Sequence, residues 1–109
     1  LIGNYAFYRC KSLIKIVIIS LVTSIGKYAF AECSSLNQIS FPSSVTLIDD
    51  YAFDKCSALN KVAFAMPSQL DTIGEFAFNS CNSLKIVSIP SAAKLTKSFF
   101  PKDTNVTQI

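Results

Sequence analysis

One motif is written four times along this 109-residue chain, and the repetition limits the possible folds before any residue is read singly. The first copy is Ile2-Gly3-x-Tyr5-Ala6-Phe7-x-x-Cys10-x-Ser12-Leu13-x-x-Ile16-x-Ile18, and further copies begin at Ile25, Ile48 and Ile73, with starts 23, 23 and 25 residues apart. A unit this short cannot enclose its own core, so the units must stack, each covering the apolar face of the next. The expected organisation is a single repeat domain over 1–109, a segment of a longer array. Its units run over approximately 2–24, 25–47, 48–72 and 73–95, and 96–109 form a degenerate repeat or C-terminal cap.

Stacking also accounts for the composition. Half of the residues are apolar and only 16% are charged, against a usual quarter, which excludes a disordered tail. The greasiest stretch, Leu13 to Val22, is interrupted by Lys15 and Ser20, so no membrane-spanning helix is expected. The formal charge of +3 comes from scattered lysines and one arginine, Arg9, and names no partner.

Within a unit, Leu-x-x-Ile-x-Ile ends in period-2 alternation, which predicts a short strand with Ile16 and Ile18 inward. Equal spacing makes such strands a parallel sheet. Ala6, Cys10 and Leu13 stand at i, i+4 and i+7, one face of a short helical or 3-10 turn. Gly3, Gly26 and Gly74 are expected at positive φ, with Asp49 as a tolerated substitute in the third unit. The two extra residues before the fourth unit fall at Ala65-Met66, because Pro67-Ser68-Gln69-Leu70 then matches Pro42-Ser43-Ser44-Val45, and they should bulge from the stack. Two inward aromatic columns follow from the register: Phe7, Phe30, Phe53 and Phe78, and Tyr5, Tyr28, Tyr51 and Phe76. Phe41 and Phe64 belong to the strands, and only Tyr8, Phe99 and Phe100 fall outside these positions.

These motifs resemble the BspA-like branch of the leucine-rich repeats, over residues 2 to about 95. The resemblance implies a leucine-rich-repeat solenoid of α/β class, with a parallel sheet on the concave side and short helical or 3-10 turns on the convex side. It also implies a cell-surface or secreted protein of bacteria or protozoan parasites, and adhesion to host, matrix or other cells. Proline is missing after the first strand, where Ile19 stands, and Asp49 replaces the glycine.

No enzyme is expected. Cys10, Cys33, Cys56 and Cys81 occupy one position in successive units, so they form an inward column in which cysteine packs as a small hydrophobe. Neighbours in that column are close in space, but parallel side-chain vectors suit a disulfide poorly. No metal site is expected either, since zinc needs converging ligands and the chain has no histidine. Asp49, Asp50, Asp54, Asp71 and Glu75 are expected to complement helix N-termini and solubilise the convex side. Without a base beside any serine or a phosphate-cradling loop, no catalytic or cofactor-binding residues are assigned. Nucleic-acid binding is not expected, because the aromatics are committed to columns.

The remaining candidate surface is the concave sheet. One outward column runs Lys15, Gln38, Lys61, Ile86, and its neighbour Val17, Ser40, Ala63, Ser88. This weakly polar, lightly basic surface suits broad contact with a protein or glycan. Equally open is a structural spacer whose ligand site lies in other repeats. The first ladder of a solenoid starting at Leu1 is open to water, so end-to-end self-association is expected. Asn105-Val106-Thr107 is a glycosylation sequon in a polar tail, of consequence only in a eukaryotic host that exports the protein.

Overall fold

The computed structural model describes residues 1–95 and 100–109, which leaves Phe99 outside. Its strands are β1 (Lys15–Val17), β2 (Ser24–Ile25), β3 (Gln38–Phe41), β4 (Leu47–Ile48), β5 (Lys61–Phe64), β6 (Thr72–Ile73), β7 (Ile86–Ile89), β8 (Lys94–Leu95) and β9 (Asn105–Gln108). They wind into a parallel β-solenoid of about four turns. The concave sheet is ordered β1-β3-β5, with Lys15 opposite Gln38 and Gln38 opposite Lys61. A second parallel ladder, β2-β4-β6-β8, runs up another side, and β7 pairs with β9. Alternation works as the pattern requires: in β3 the side chains of Ile39 and Phe41 are buried while Gln38 and Ser40 are exposed.

Stacking like on like fills the interior. Phe7, Phe30, Phe53 and Phe78 lie face to face with ring centroids 5.1, 5.1 and 5.2 Å apart, close to the spacing of neighbouring strands. Phe100, expected outside the columns, extends this one, 5.1 Å from Phe78. The second aromatic column differs from expectation. Tyr5, Tyr28, Tyr51 and Phe76 do stack, at 5.0, 4.9 and 5.3 Å, but on the surface: Tyr5 is exposed and the other three half-buried. Tyr8 meets its first rings edge-on.

The convex segments are not helical. Tyr5, Arg9, Tyr28, Glu32, Tyr51, Lys55, Phe76 and Ser80 all have positive φ, between 55 and 60°. Some i to i−3 bonds form, as when the N–H of Ala6, Tyr8 and Cys10 donates to the carbonyl of Gly3, Tyr5 and Phe7. The intervening amides point along the stack instead: the N–H of Tyr5, Phe7 and Arg9 donates to the carbonyl of Lys27, Ala29 and Ala31 one unit on. The pattern recurs from the second unit to the third and from the third to the fourth. Left-handed residues flip alternate peptides, so half of each turn's amides serve the next unit, and a continuous helix is impossible. The i, i+4, i+7 spacing reports inward positions of this turn.

Among the described residues no glycine has positive φ, which overturns the role expected of Gly3, Gly26 and Gly74. Their requirement is space. A Cβ on Gly26 would stand 2.6 Å from Oδ1 of Asn4, and one on Gly74 would stand 2.6 Å from the amide nitrogen of Asp50. Those side chains cap the following unit, with Oδ1 of Asn4 accepting from the N–H of Lys27 and Oδ1 of Asp50 from that of Glu75. In the second unit the capping position is Lys27, which has no acceptor to offer. There the third unit supplies its own, Oδ1 of Asp49 accepting from the N–H of Asp50. The exchange of glycine for aspartate at position 49 thus follows from a lysine one turn earlier.

The extra residues leave β5. Ser24 pairs with Leu47, 23 residues on, but Leu47 pairs with Thr72, 25 on, and Met66 in the intervening segment is 53% exposed. The expected polar tail instead contains β9, with Asn105 exposed and opposite Ile86.

Two sets of substitutions test this packing. Phe53→Ala is expected to cost about 3–5 kcal/mol by opening a cavity between turns. Gly74→Ala is expected to cost about 1–3 kcal/mol, and Gly3→Ala, whose Cβ would meet nothing within 4 Å, close to nothing. Urea denaturation of the series checks both, and a neutral Phe53→Ala would refute the inward column.

Candidate binding surface

The eight side chains assigned to the sheet surface lie on β1, β3, β5 and β7, and the ladders bring the members from β1, β3 and β5 into register. Lys15, Gln38, Lys61 and Ile86 are exposed, as are Val17, Ser40 and Ser88, and Ala63 is half-buried. Four exposed aliphatic side chains stand on or beside this surface, Ile14, Val17, Ile19 and Ile86, exposed by 59, 77, 62 and 68%. The lysines are Lys15, Lys61 and, at the sheet's entry, Lys85, whose Nζ lies 2.9 Å from Oδ2 of Asp103. No Asp or Glu stands within β1, β3, β5 or β7. The surface is apolar with a positive fringe.

Two depressions lie on it. One, of about 350 Å³, is bordered by Lys15, Val17, Gln38, Ser40, Pro42 and Ala65. The other, of about 620 Å³, lies over β5 and β7 and is bordered by Asn60, Lys61, Ala63, Phe64, Ile86, Ser88 and Ile109. Among the described residues no ladder joins β5 to β7, although each pairs on its other side. The N–H of Asn60 donates to the carbonyl of Asn37, as that of Asn37 does to Ile14, and the series resumes with the N–H of Asn105 donating to Lys85. At the far end of the strand the N–H of Ala65 donates to the carbonyl of Phe41, but its counterpart Pro90 has no N–H to give. The missing ladder therefore coincides with the two extra residues and with Pro90. It was not anticipated, although the 25-residue interval was its signal in the sequence. Ile109, on the border of the larger depression, carried no signal at all.

Elsewhere the polar groups are tied to architecture. The thiols of Cys33, Cys56 and Cys81 are buried, and each donates to the carbonyl of the phenylalanine one unit back, Phe7, Phe30 and Phe53, at 3.1 Å. Burial pushes the Cys33 thiol up to about 11, and Cys56 is raised by its contact with Cys81 and by burial, so both stay protonated and unreactive. Among the described residues the carboxylates have no helix dipoles to complement. Asp50 caps a backbone amide, Glu32 accepts from Tyr8 and Arg9, and Asp54 is buried beside Asn79, whose Nδ2 donates to its Oδ1 at 3.0 Å. Among the described residues no three His, Cys, Asp or Glu side chains gather as a metal-binding group. No helix there is long and apolar enough to cross a membrane.

The model of the BspA-type leucine-rich repeat region matches residues 1–109 in six copies. The chain belongs to this family. Among solved structures, a leucine-rich repeat protein of T. pallidum is 36% identical with a TM-score of 0.79, covering 85% of this chain and 42% of its own. One from Bacteroides ovatus is 31% identical over 99% of this chain and 28% of its own, with a TM-score of 0.90. One from Bacteroides capillosus is 28% identical, covers 90% and 78%, and has a TM-score of 0.78. Against the first two, this BspA-type chain spans less than half of the relative's length. No curated protein matches it. The family resemblance read from the motif is thus established, and so is the solenoid, without its helical turns.

Burial holds the Asp54 carboxyl above the usual carboxylate range, with the Asn79 hydrogen bond opposing it. The folded chain then binds this proton more readily than the unfolded one, so the carboxylate costs stability above its folded pKa and the cost fades as pH falls. Asp54→Asn keeps an acceptor for Asn79 and is expected to be more stable than wild type at pH 7, the advantage vanishing towards about pH 4. Urea midpoints of the two proteins across that range check it. A gain unchanged by pH would refute the protonation account.

Proposed function

We propose that this segment is a non-enzymatic recognition module, displayed at a cell surface or secreted, that binds a protein or glycan through its concave sheet face in an adhesive role. What supports the reading is the contrast between its positions. The stacked positions repeat nearly the same residue in every unit, while the sheet's outward columns change from unit to unit and carry exposed aliphatic side chains fringed by lysines. Exposed apolar area of this kind on a rigid scaffold favours contact with a partner. The thiols of Cys33, Cys56 and Cys81 are spent on backbone hydrogen bonds and burial, and Asp50 and Asp54 on a backbone amide and on Asn79, which supports a role without catalysis.

A spacer that stiffens a longer array is the second reading. It is favoured by the unbroken β2-β4-β6-β8 ladder and by the greater length of the T. pallidum and Bacteroides ovatus proteins. Retention on immobilised host-matrix proteins and a glycan array separates the two. Lys15→Glu with Lys61→Glu is expected to weaken retention about tenfold or more, and Lys27→Glu with Lys55→Glu, on the convex side, to leave it unchanged. A folded fragment that retains nothing would favour the spacer.

Self-association is also proposed. The first unit leaves Ile2, Phe7, Cys10, Leu13 and Ile16 only partly buried against the core, a stacking face for a further turn or a second copy. Sedimentation velocity is expected to show mass increasing with concentration and to lose that dependence in Phe7→Glu. A strictly monomeric fragment at millimolar concentration would refute it.

A further inference from the structure

We infer that Tyr8, on the convex side, is an oxidative modification site: a phenol that gives up an electron and a proton together and then bonds covalently to the ring of a second phenol. Its contacts single it out among the four tyrosines of the chain. The Tyr8 hydroxyl donates to Oε2 of Glu32 at 3.1 Å, while none of the hydroxyls of Tyr5, Tyr28 and Tyr51 has a carboxylate acceptor among the described residues. The carboxylate is held from its other oxygen, with Nε of Arg9 lying 3.3 Å from Oε1. The Tyr8 ring meets Tyr5 and Tyr28 edge-on, at centroid separations of 5.2 and 6.4 Å, and both belong to the stack that continues to Tyr51. An electron hole formed anywhere in that stack therefore has a short path to Tyr8.

A phenol that loses an electron becomes a strong acid, so the hole settles on the ring whose proton has a base in reach. At Tyr8 the O–H bond breaks as the electron leaves, and the proton passes to Oε2 of Glu32 and on to water. The guanidinium of Arg9 lies 5.1 Å from the Tyr8 ring centroid and opposes a positive charge on that ring, so electron and proton leave in one step. The oxidant, a peroxide-driven haem peroxidase or another one-electron acceptor, is reduced by one electron per ring. Two phenoxyls then form a carbon–carbon bond between ring positions ortho to oxygen, and the two ortho hydrogens move to the oxygens to restore both phenols. The two electrons and two protons given up reduce one hydrogen peroxide to two waters. Exposure alone would select a different residue, since Tyr5 is 54% exposed and Tyr8 half-buried.

The test oxidises the folded chain with photogenerated ruthenium(III) tris(bipyridine) in the presence of biotin-tyramide, itself a phenol, and maps the attached label by tandem mass spectrometry. Every protein carries Cys10→Ala, which removes the thiol that the cysteine column leaves partly exposed. The label is expected on Tyr8 ahead of Tyr5, and labelling is expected to slow in deuterium oxide. Tyr8→Phe is expected to cut total labelling about fivefold or more. Glu32→Gln keeps an acceptor for the Tyr8 hydroxyl but cannot take its proton, and is expected to slow labelling of Tyr8 about tenfold or more. Raising the phosphate buffer, an external base, is expected to restore the rate in Glu32→Gln and to leave the parent unchanged. Circular dichroism checks that the variants fold, and should either fail, the label map of the parent decides by itself. Label centred on Tyr5 or any other tyrosine would overturn the inference. So would a Glu32→Gln variant labelled as fast as its parent, or one whose loss no buffer restores, which would make Glu32 a structural group only.

Discussion

Each turn of this solenoid is incomplete until its neighbour is in place, and the hydrogen bonds that complete it depend on left-handed backbone at residues that are not glycine. A bulky L-residue at positive φ costs about 1–2 kcal/mol. The cost recurs at Tyr5, Tyr28, Tyr51 and Phe76, and at Arg9, Glu32, Lys55 and Ser80. In return, alternate amides along each convex segment reach carbonyls one unit on, and the aromatic rings at the first position stack at about 5 Å. Glycine would relieve the strain at Tyr28 but would remove a ring from the column.

The same dependence explains features that look unrelated in the sequence. Gly26 and Gly74 are small so that Asn4 and Asp50 can cap the next unit, and Asp49 is large because Lys27 cannot. The cysteines persist as a column because a thiol at that depth can donate to the phenylalanine carbonyl one turn back. A substitution in one unit is therefore felt in the unit beside it. The outward sheet positions escape this coupling, since their side chains leave the stack, and they are free to differ.

Where the stack departs from strict repetition, it becomes specific. Two residues added after β5, with a proline where the strand's last amide would donate, coincide with a sheet that is continuous from β1 to β5 and resumes at β7. The convex side absorbs the irregularity without loss because its bonds run between segments on either side of the insertion.

The sequence by itself determined the repeat, the parallel stack, the Phe and Cys columns, the bulge near Ala65-Met66 and the residues that face outward from the sheet. All of these follow from identity of position: like residues at a fixed interval have only one way to meet. Three things were decided by the tertiary structure alone. The convex segments are alternating turns and not helices, because their amides answer to a neighbouring unit and the local i, i+4, i+7 spacing cannot tell the two apart. The Tyr column lies at the surface, because the direction of a side chain from a left-handed residue is not encoded in its spacing. No ladder joins β5 to β7 among the described residues, although the two strands lie side by side, because strand pairing depends on where the extra residues push the chain, a matter of three-dimensional register that counting residues leaves undetermined.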